Sequence, residues 1–115
     1  MVNARNKGKR GELEFCQAFE SVTGIPMKRN WTQSFAGGGK CNPDVKGFDR
    51  AHFEVKRTEA VHFFKWVGQV LSDCAHRIPV IAHKRNRGDW WVMLRLEDLP
   101  MFSRELLDEM ERVER

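Results

Sequence analysis

The stretch Pro43-Asp44-Val45-Lys46-Gly47-Phe48-Asp49-Arg50-Ala51-His52-Phe53-Glu54-Val55-Lys56 decides how this chain is read. Residues 44–47 and 51–56 have the pattern of two short strands joined by a turn over Gly47 to Arg50. In the second strand Phe53 and Val55 alternate with His52, Glu54 and Lys56. Side chains of a strand leave alternate faces, so Val55 can enter a core while Glu54 and Lys56 point together into a cleft. Asp44 opens the first strand. A hairpin would bring it beside Glu54, because antiparallel neighbours lie only about 5 Å apart. Two carboxylates and an ammonium then converge. Adjacent carboxylates repel unless a cation sits between them. Hard oxygen ligands suit Mg²⁺ or Mn²⁺, which keep several waters and also bind phosphate oxygens. Such a cation turns water into a better nucleophile and stabilises charge building on phosphorus. Lys56 adds a group that orients that water or holds the phosphate's charge. The implied chemistry is hydrolysis of a phosphodiester. Taken alone the pattern is short, and two surface carboxylates beside a solvated lysine would also satisfy it.

The flanking sequence supplies the frame. Residues 6–23 read as a helix, with Leu13, Cys16, Phe19 and Val22 at three-residue steps and Phe15 widening the stripe. Gly24 and Pro26 end it. Residues 27–31 suit a short strand, and 32–43, with three consecutive glycines, a loop. A second helix is expected over 60–76, its apolar stripe being Phe63, Val67, Val70, Leu71 and Cys74, with Trp66 beside it. Residues 78–83 read as a buried strand, 84–89 as a basic turn and 90–96 as a further strand. Leu99, Phe102, Leu106, Met110 and Val113 mark a C-terminal helix, with Ser103 a candidate cap. The order predicts an α/β domain with a central mixed sheet flanked by helices.

Composition narrows the class. The chain has 115 residues, enough for one domain. With 41% hydrophobic and 31% charged residues it is neither fibrous nor of low complexity. No apolar run approaches a membrane span, and no apolar segment follows the basic start as in a secretory signal. Three unpaired-looking cysteines, Cys16, Cys41 and Cys74, argue against a disulfide scaffold and for a reducing cytoplasm, and the compact size suits a prokaryotic or phage-infected cell. The net charge of +4 divides unevenly: residues 1–95 hold 17 basic and 9 acidic side chains, and residues 96–115 hold 3 and 7. A basic body with an acidic tail fits a polyanion partner, with nucleic acid the leading candidate, or a basic protein with no such partner.

The acidic motif and its context resemble the PD-(D/E)XK nuclease superfamily, here as Pro43-Asp44 and Glu54-Val55-Lys56. Within it the chain is similar to the archaeal and phage-type Holliday junction resolvase branch. That branch starts with a basic "KG" segment and a glutamate-bearing helix, matched by Lys7-Gly8-Lys9-Arg10-Gly11-Glu12. An arginine-bearing strand and a Ser/Gly-rich loop follow, matched by Arg29 and by Gln33-Ser34-Phe35-Ala36-Gly37-Gly38-Gly39. Ile78-Pro79-Val80 resembles its "PV" strand and Trp90-Trp91-Val92 its aromatic last strand. The likeness spans a core of about residues 6–96 and leaves an acidic helical tail, 97–115, without a counterpart; Leu13 stands where many resolvases carry a basic residue. The resemblance implies a restriction-endonuclease-like fold and a single nuclease domain. It implies Asp44 and Glu54 as metal ligands with the backbone carbonyl of Val55, Lys56 as catalytic lysine, and Glu12 completing the acidic site through a water. Gln69 would support the site, or it is a polar residue of a helix surface. Ser34 would contact the scissile phosphate or hold its loop.

The basic residues Lys7, Lys9, Arg10, Arg29, Lys40, Arg57, Lys84, Arg85 and Arg87 are candidates for gripping DNA. Lys7, Lys9 and Arg10 carry most weight because they flank Glu12; Lys84, Arg85 and Arg87 equally fit an ordinary charged turn. The glycine loop lacks a following GKS or GKT and is no nucleotide P-loop. His52, His62, His76 and His83 show no zinc spacing with the cysteines. Four Trp and eight Phe exceed the needs of one small core. Symmetric cutting of two strands calls for two sites about a two-fold axis, so a homodimer is expected. The expected activity is that of a Mg²⁺- or Mn²⁺-dependent endonuclease acting on four-way DNA junctions. The alternatives are another repair, restriction-like or phage genome-processing nuclease, or a non-catalytic DNA-binding protein on the same fold.

Overall fold

The computed structural model describes residues 4–30 and 43–114, with side chains from Gly8 onward. The first helix, α1 (Ala4–Thr23), buries Phe15, Cys16 and Phe19. Its inward stripe is narrower than the three-residue spacing suggests, because Leu13 and Val22 face solvent. Phe15 and Phe19, one turn apart, form the packing face instead, each against Phe53 with ring centroids 5.3 and 5.4 Å away. Gly11 lets the helix lie close on the sheet: a Cβ there would stand 2.6 Å from Cβ of Arg57. At the C-terminus Thr23 Oγ1 donates to the Phe19 carbonyl and accepts from the Ile25 N–H, satisfying groups the helix end leaves open.

Two short strands follow, β1 (Lys28–Arg29) and β2 (Val45–Lys46), paired antiparallel with Arg29 opposite Val45. The chain then turns through Gly47, whose φ of 139° and close approach to the Pro26 carbonyl exclude a side chain. It enters β3 (Ala51–Arg57). The second helix, α2 (Phe63–Asp73), crosses over to β4 (Ile78–Lys84), which pairs with β3 in parallel, Glu54 opposite Ile81. The antiparallel edge strand β5 (Trp91–Met93) completes a mixed sheet in the order β3-β4-β5. A single 3-10 turn (Leu96–Asp98) leads into α3 (Leu99–Glu114).

The expected α/β architecture is observed: a mixed sheet with helices on both faces. On one face Phe53, Val80 and Ala82 meet Phe15, Phe19, Phe48 and Phe102, with Leu106 and Met110 of α3 packed alongside. The acidic C-terminal segment is therefore a helix docked on the core. On the other face Ile81 packs under Trp66 and Val70 of α2. Among the described residues no helix is long and apolar enough to cross a membrane.

Several local expectations are corrected. Helix α2 is shorter than 60–76 and is rotated, so that Trp66 and Val70 are buried while Phe63 and Leu71 are exposed. Trp66 has the larger surface to bury, and it wins the inward position. Ser103 lies inside α3 and caps nothing. The last strand spans three residues rather than 90–96, and Trp90 turns back to pack edge-on against Phe15. The expected hairpin is incomplete: β2 pairs with β1, and one bond from the Asp44 N–H to the Phe53 carbonyl joins it to β3. Ser34, Lys40, Cys41 and the Gly37–Gly39 run, with the side chain of Lys7, lie outside the described residues.

Candidate active site

The site forms where β2 leaves β3. Asp44 donates its N–H to the Phe53 carbonyl at 3.2 Å and accepts on its own carbonyl from the Asn30 N–H at 2.9 Å. Its side chain turns toward β3, and Oδ2 accepts the Val55 N–H at 2.8 Å. The carboxylate thus takes a backbone donor that a neighbouring strand would otherwise satisfy. Asn30 is buried and also donates from Nδ2 to the Pro43 carbonyl at 2.8 Å, so one side chain and one peptide group pin both residues of the Pro-Asp pair.

Glu54 is held by its strand. Phe53 is anchored in the aromatic core and Val55 packs at its margin, which leaves Glu54 no choice but the opposite face. There it is only 4% exposed. Lys56, two residues on, brings Nζ to 3.5 Å from Glu54 Oε2 and donates to Gln69 Oε1 at 3.1 Å. The ammonium also stands 5.9 Å from the centre of the Trp66 ring, a cation–π distance. Gln69 is an exposed residue of α2 that accepts this bond from Lys56, so both readings of it stand. On the same face, His52 is fully buried, with Nε2 3.7 Å from Glu54 Oε1.

Glu12 arrives from α1 and is tied to Arg29: the guanidinium Nε donates to Oε1 at 2.7 Å. Burial pushes the Glu12 carboxyl above its ordinary value; Arg29 opposes this, and the nearby Glu54 charge adds to it. Glu12 therefore borders the acidic site, and Arg29, a candidate for DNA contact, is engaged with it. Among the described residues no three acidic, His or Cys side chains gather as a metal cluster. The donors available to a divalent cation are Asp44, Glu54 and the Val55 carbonyl. Two nearly buried carboxylates with one backbone oxygen suit a small hard cation that retains waters.

The basic candidates fall into two groups. Lys9 and Arg10 are exposed on α1, and Arg87 is exposed in the turn after β4. Arg57 and Lys84 share Glu14 Oε2 at 3.2 and 3.7 Å, and Arg57 also donates to Asn86. Arg85 pairs with Glu59 at 3.5 Å. These latter three form a braced surface cluster, not free cations. Sequence reasoning missed Asn30 and the burial of His52. Asn30 has no local signal, since it matters only through Pro43 and Asp44, brought near by folding, whereas alternation along β3 already put His52 on the face of Glu54.

A mixed sheet between helices, with Asp44 lodged on the backbone of Val55 and Glu54 and Lys56 on one face of the same strand, defines a member of the PD-(D/E)XK nuclease superfamily. A model of the family described as phage putative PDDEXK endonucleases matches residues 3–114, and the chain belongs to that family. The match takes in α3, for which the resolvase resemblance had no counterpart. No curated protein and no solved structure matches the chain.

Proposed function

We propose that this protein is a divalent-metal-dependent DNA endonuclease that hydrolyses phosphodiesters in branched DNA, with the four-way junction as its substrate. The observation that carries the reading is the junction of β2 and β3: Asp44 on the Val55 N–H, Glu54 buried on the same strand as Val55, and Lys56 between Glu54 and Gln69.

Asp44, Glu54 and the carbonyl of Val55 would hold the cation. When bound, it supplies positive charge opposite the phosphate and lowers the pKa of a water. The chain's own groups do the rest. Lys56 offers a fixed ammonium to a phosphate oxygen or the attacking water, and Gln69 keeps that ammonium from collapsing wholly onto Glu54. Asn30 holds the strand that carries Asp44. Lys9 and Arg10, exposed on the helix that carries Glu12, would neutralise backbone phosphates of a DNA arm. Recognition by shape and charge suits a chain with so little base-reading surface.

Symmetric cleavage needs a second copy. Phe64, 86% exposed, and Leu71 line an apolar groove between α2 and β5, and Trp91, two residues from Met93 on the same face of β5, is exposed nearby. This is the face on which a homodimer is proposed.

A second reading changes only the substrate. In it the chain, of a family described as phage endonucleases, cuts other phage DNA, such as linear or flap DNA. Cleavage of a labelled four-way junction, set beside duplex, flap and single-stranded DNA with Mg²⁺ or Mn²⁺, separates the two. Paired symmetric nicks in the junction alone, lost in Asp44→Ala and Lys56→Ala, are the expected result. Cleavage of linear or flap DNA moves the protein to the second reading. Junction binding without any cleavage removes the catalytic assignment and leaves a DNA-binding protein.

A further inference from the structure

We infer that His52 is a positioning residue that orients the Glu54 carboxylate and through it sets the affinity of the site for a divalent cation. The inference rests on the reading of Asp44 and Glu54 as cation ligands.

His52 is 0% exposed, and neither ring nitrogen has a hydrogen-bond partner among the described residues. Burying an imidazole without partners is unfavourable, and an aliphatic residue would fill the same strand position without that penalty. Its backbone neighbour across the ladder is Pro79, which has no N–H to give. The polar group that faces the ring is Glu54, two residues along the same face, with Oε1 3.7 Å from Nε2. That separation exceeds hydrogen-bond contact by only about half an ångström, and a small rotation of the carboxylate closes it.

The two oxygens of Glu54 thus have different neighbours. Oε1 faces His52, and Oε2 faces Lys56 at 3.5 Å. A carboxylate oxygen facing the ring calls for a donor there, so the ring nitrogen assigned a proton toward Glu54 is Nε2. With that donor in place, the imidazole holds Oε1 and the ammonium holds Oε2. Without it, the carboxylate is free to turn both oxygens onto Lys56, an internal ion pair that competes with any incoming cation. Groups that orient a ligand in this way typically change metal affinity by about 10- to 100-fold when removed.

The test is calorimetric titration of Mn²⁺ into the full chain, with a thermal melt of each variant. His52→Leu removes the donor and keeps an apolar filling. It is expected to weaken Mn²⁺ binding about 10- to 100-fold, with a melting temperature equal to or above that of the unaltered protein. His52→Gln restores a side-chain donor and is expected to recover most of the affinity. His52→Phe keeps a ring without a donor and serves in place of His52→Leu should that variant fail to fold. Unchanged Mn²⁺ affinity in the donor-less variant, with binding abolished by Asp44→Asn, overturns the role of His52 and leaves the cation site standing. Equal loss in His52→Gln and His52→Leu assigns the effect to packing and also overturns it. Absence of Mn²⁺ binding by the unaltered chain overturns both this inference and the cation site on which it rests.

Discussion

The two faces of β3 are built from the same seven residues and do opposite things. One face carries Phe53 and Val55 into an aromatic cluster with Phe15, Phe19, Phe48 and Phe102. The other carries His52, Glu54 and Lys56 beneath α2, where Trp66 and Val70 with Ile81 make only a small apolar patch. The apolar face gains from every group it hides. The polar face hides a carboxylate and an imidazole that water would solvate better. The contrast teaches that the stability of the strand is supplied from one side, and that this side holds the other in an unfavourable arrangement useful for chemistry.

Phe53→Ala gives the largest expected change, because it empties the centre of the supporting face. Large-to-small aromatic changes in a core cost about 3–5 kcal/mol, and urea unfolding should report a loss of that order. A change below about 1 kcal/mol would mean that the two faces are not unequal supports. Lys56→Met makes the converse cut on the polar face. It keeps the stem against Trp66 and removes the ammonium, so cleavage should fall by about 10²-fold or more while unfolding moves far less than for Phe53→Ala. Retained cleavage in single-turnover assays would sink the role given to Lys56.

Gln69→Ala sharpens the same face at its margin. Losing the acceptor that holds Lys56 away from Glu54 should lower the cleavage rate by about 10-fold, and the conservative Gln69→Glu should not restore it, since a further carboxylate then competes for Lys56. Equal rates for Gln69→Ala and the unaltered protein would return Gln69 to the helix surface.

The smallest effect concerns Glu12, where the polar face meets α1. Burial raises its carboxyl above the ordinary value of 4.5, so the fold favours the protonated form. Its contribution to stability is intact below the ordinary value and is lost as pH rises through the raised one. Glu12→Gln removes that dependence. The variant should gain stability relative to the unaltered protein between about pH 4 and pH 7. Paired urea melts at the two ends of that range check the sign; a gap that moves the other way would show that Arg29 outweighs burial. Cys16 reports on the apolar face in parallel: burial, with Glu12 nearby, pushes its thiol up to about 11. In the native protein it should stay unmodified by thiol reagents that label it after unfolding, as read by peptide mass mapping.

The portions of the molecule that could be read beforehand are those governed by short-range rules. Alternation along 51–56 placed Glu54 and Lys56 on one face and Val55 on the other, and the structure has them so. The helix–strand order was readable for the same reason, since burial periodicity is a property of neighbours in the chain. Rotation of α2 was not readable, because Phe63, Trp66, Val70 and Leu71 are all apolar, and only the surface of β4 decides which of them go inward. The hairpin expected between residues 44–47 and 51–56 was half right. Asp44 does reach β3, but its strand pairs with Lys28–Arg29, a partner no local pattern announces.

The amino-acid sequence by itself determined the family of this protein and the frame of its motif: an aspartate, a glutamate and a lysine spaced over a turn and a strand, in an α/β chain of one nuclease family. Only the tertiary structure decided what surrounds them. Asn30 on the Pro43 carbonyl, Arg29 on Glu12 and Gln69 on Lys56 join different elements of the chain. The physical reason is one of range. Side-chain type and alternation act over two to four residues, whereas desolvation and hydrogen bonding depend on what packing brings within a few ångströms from elsewhere in the chain.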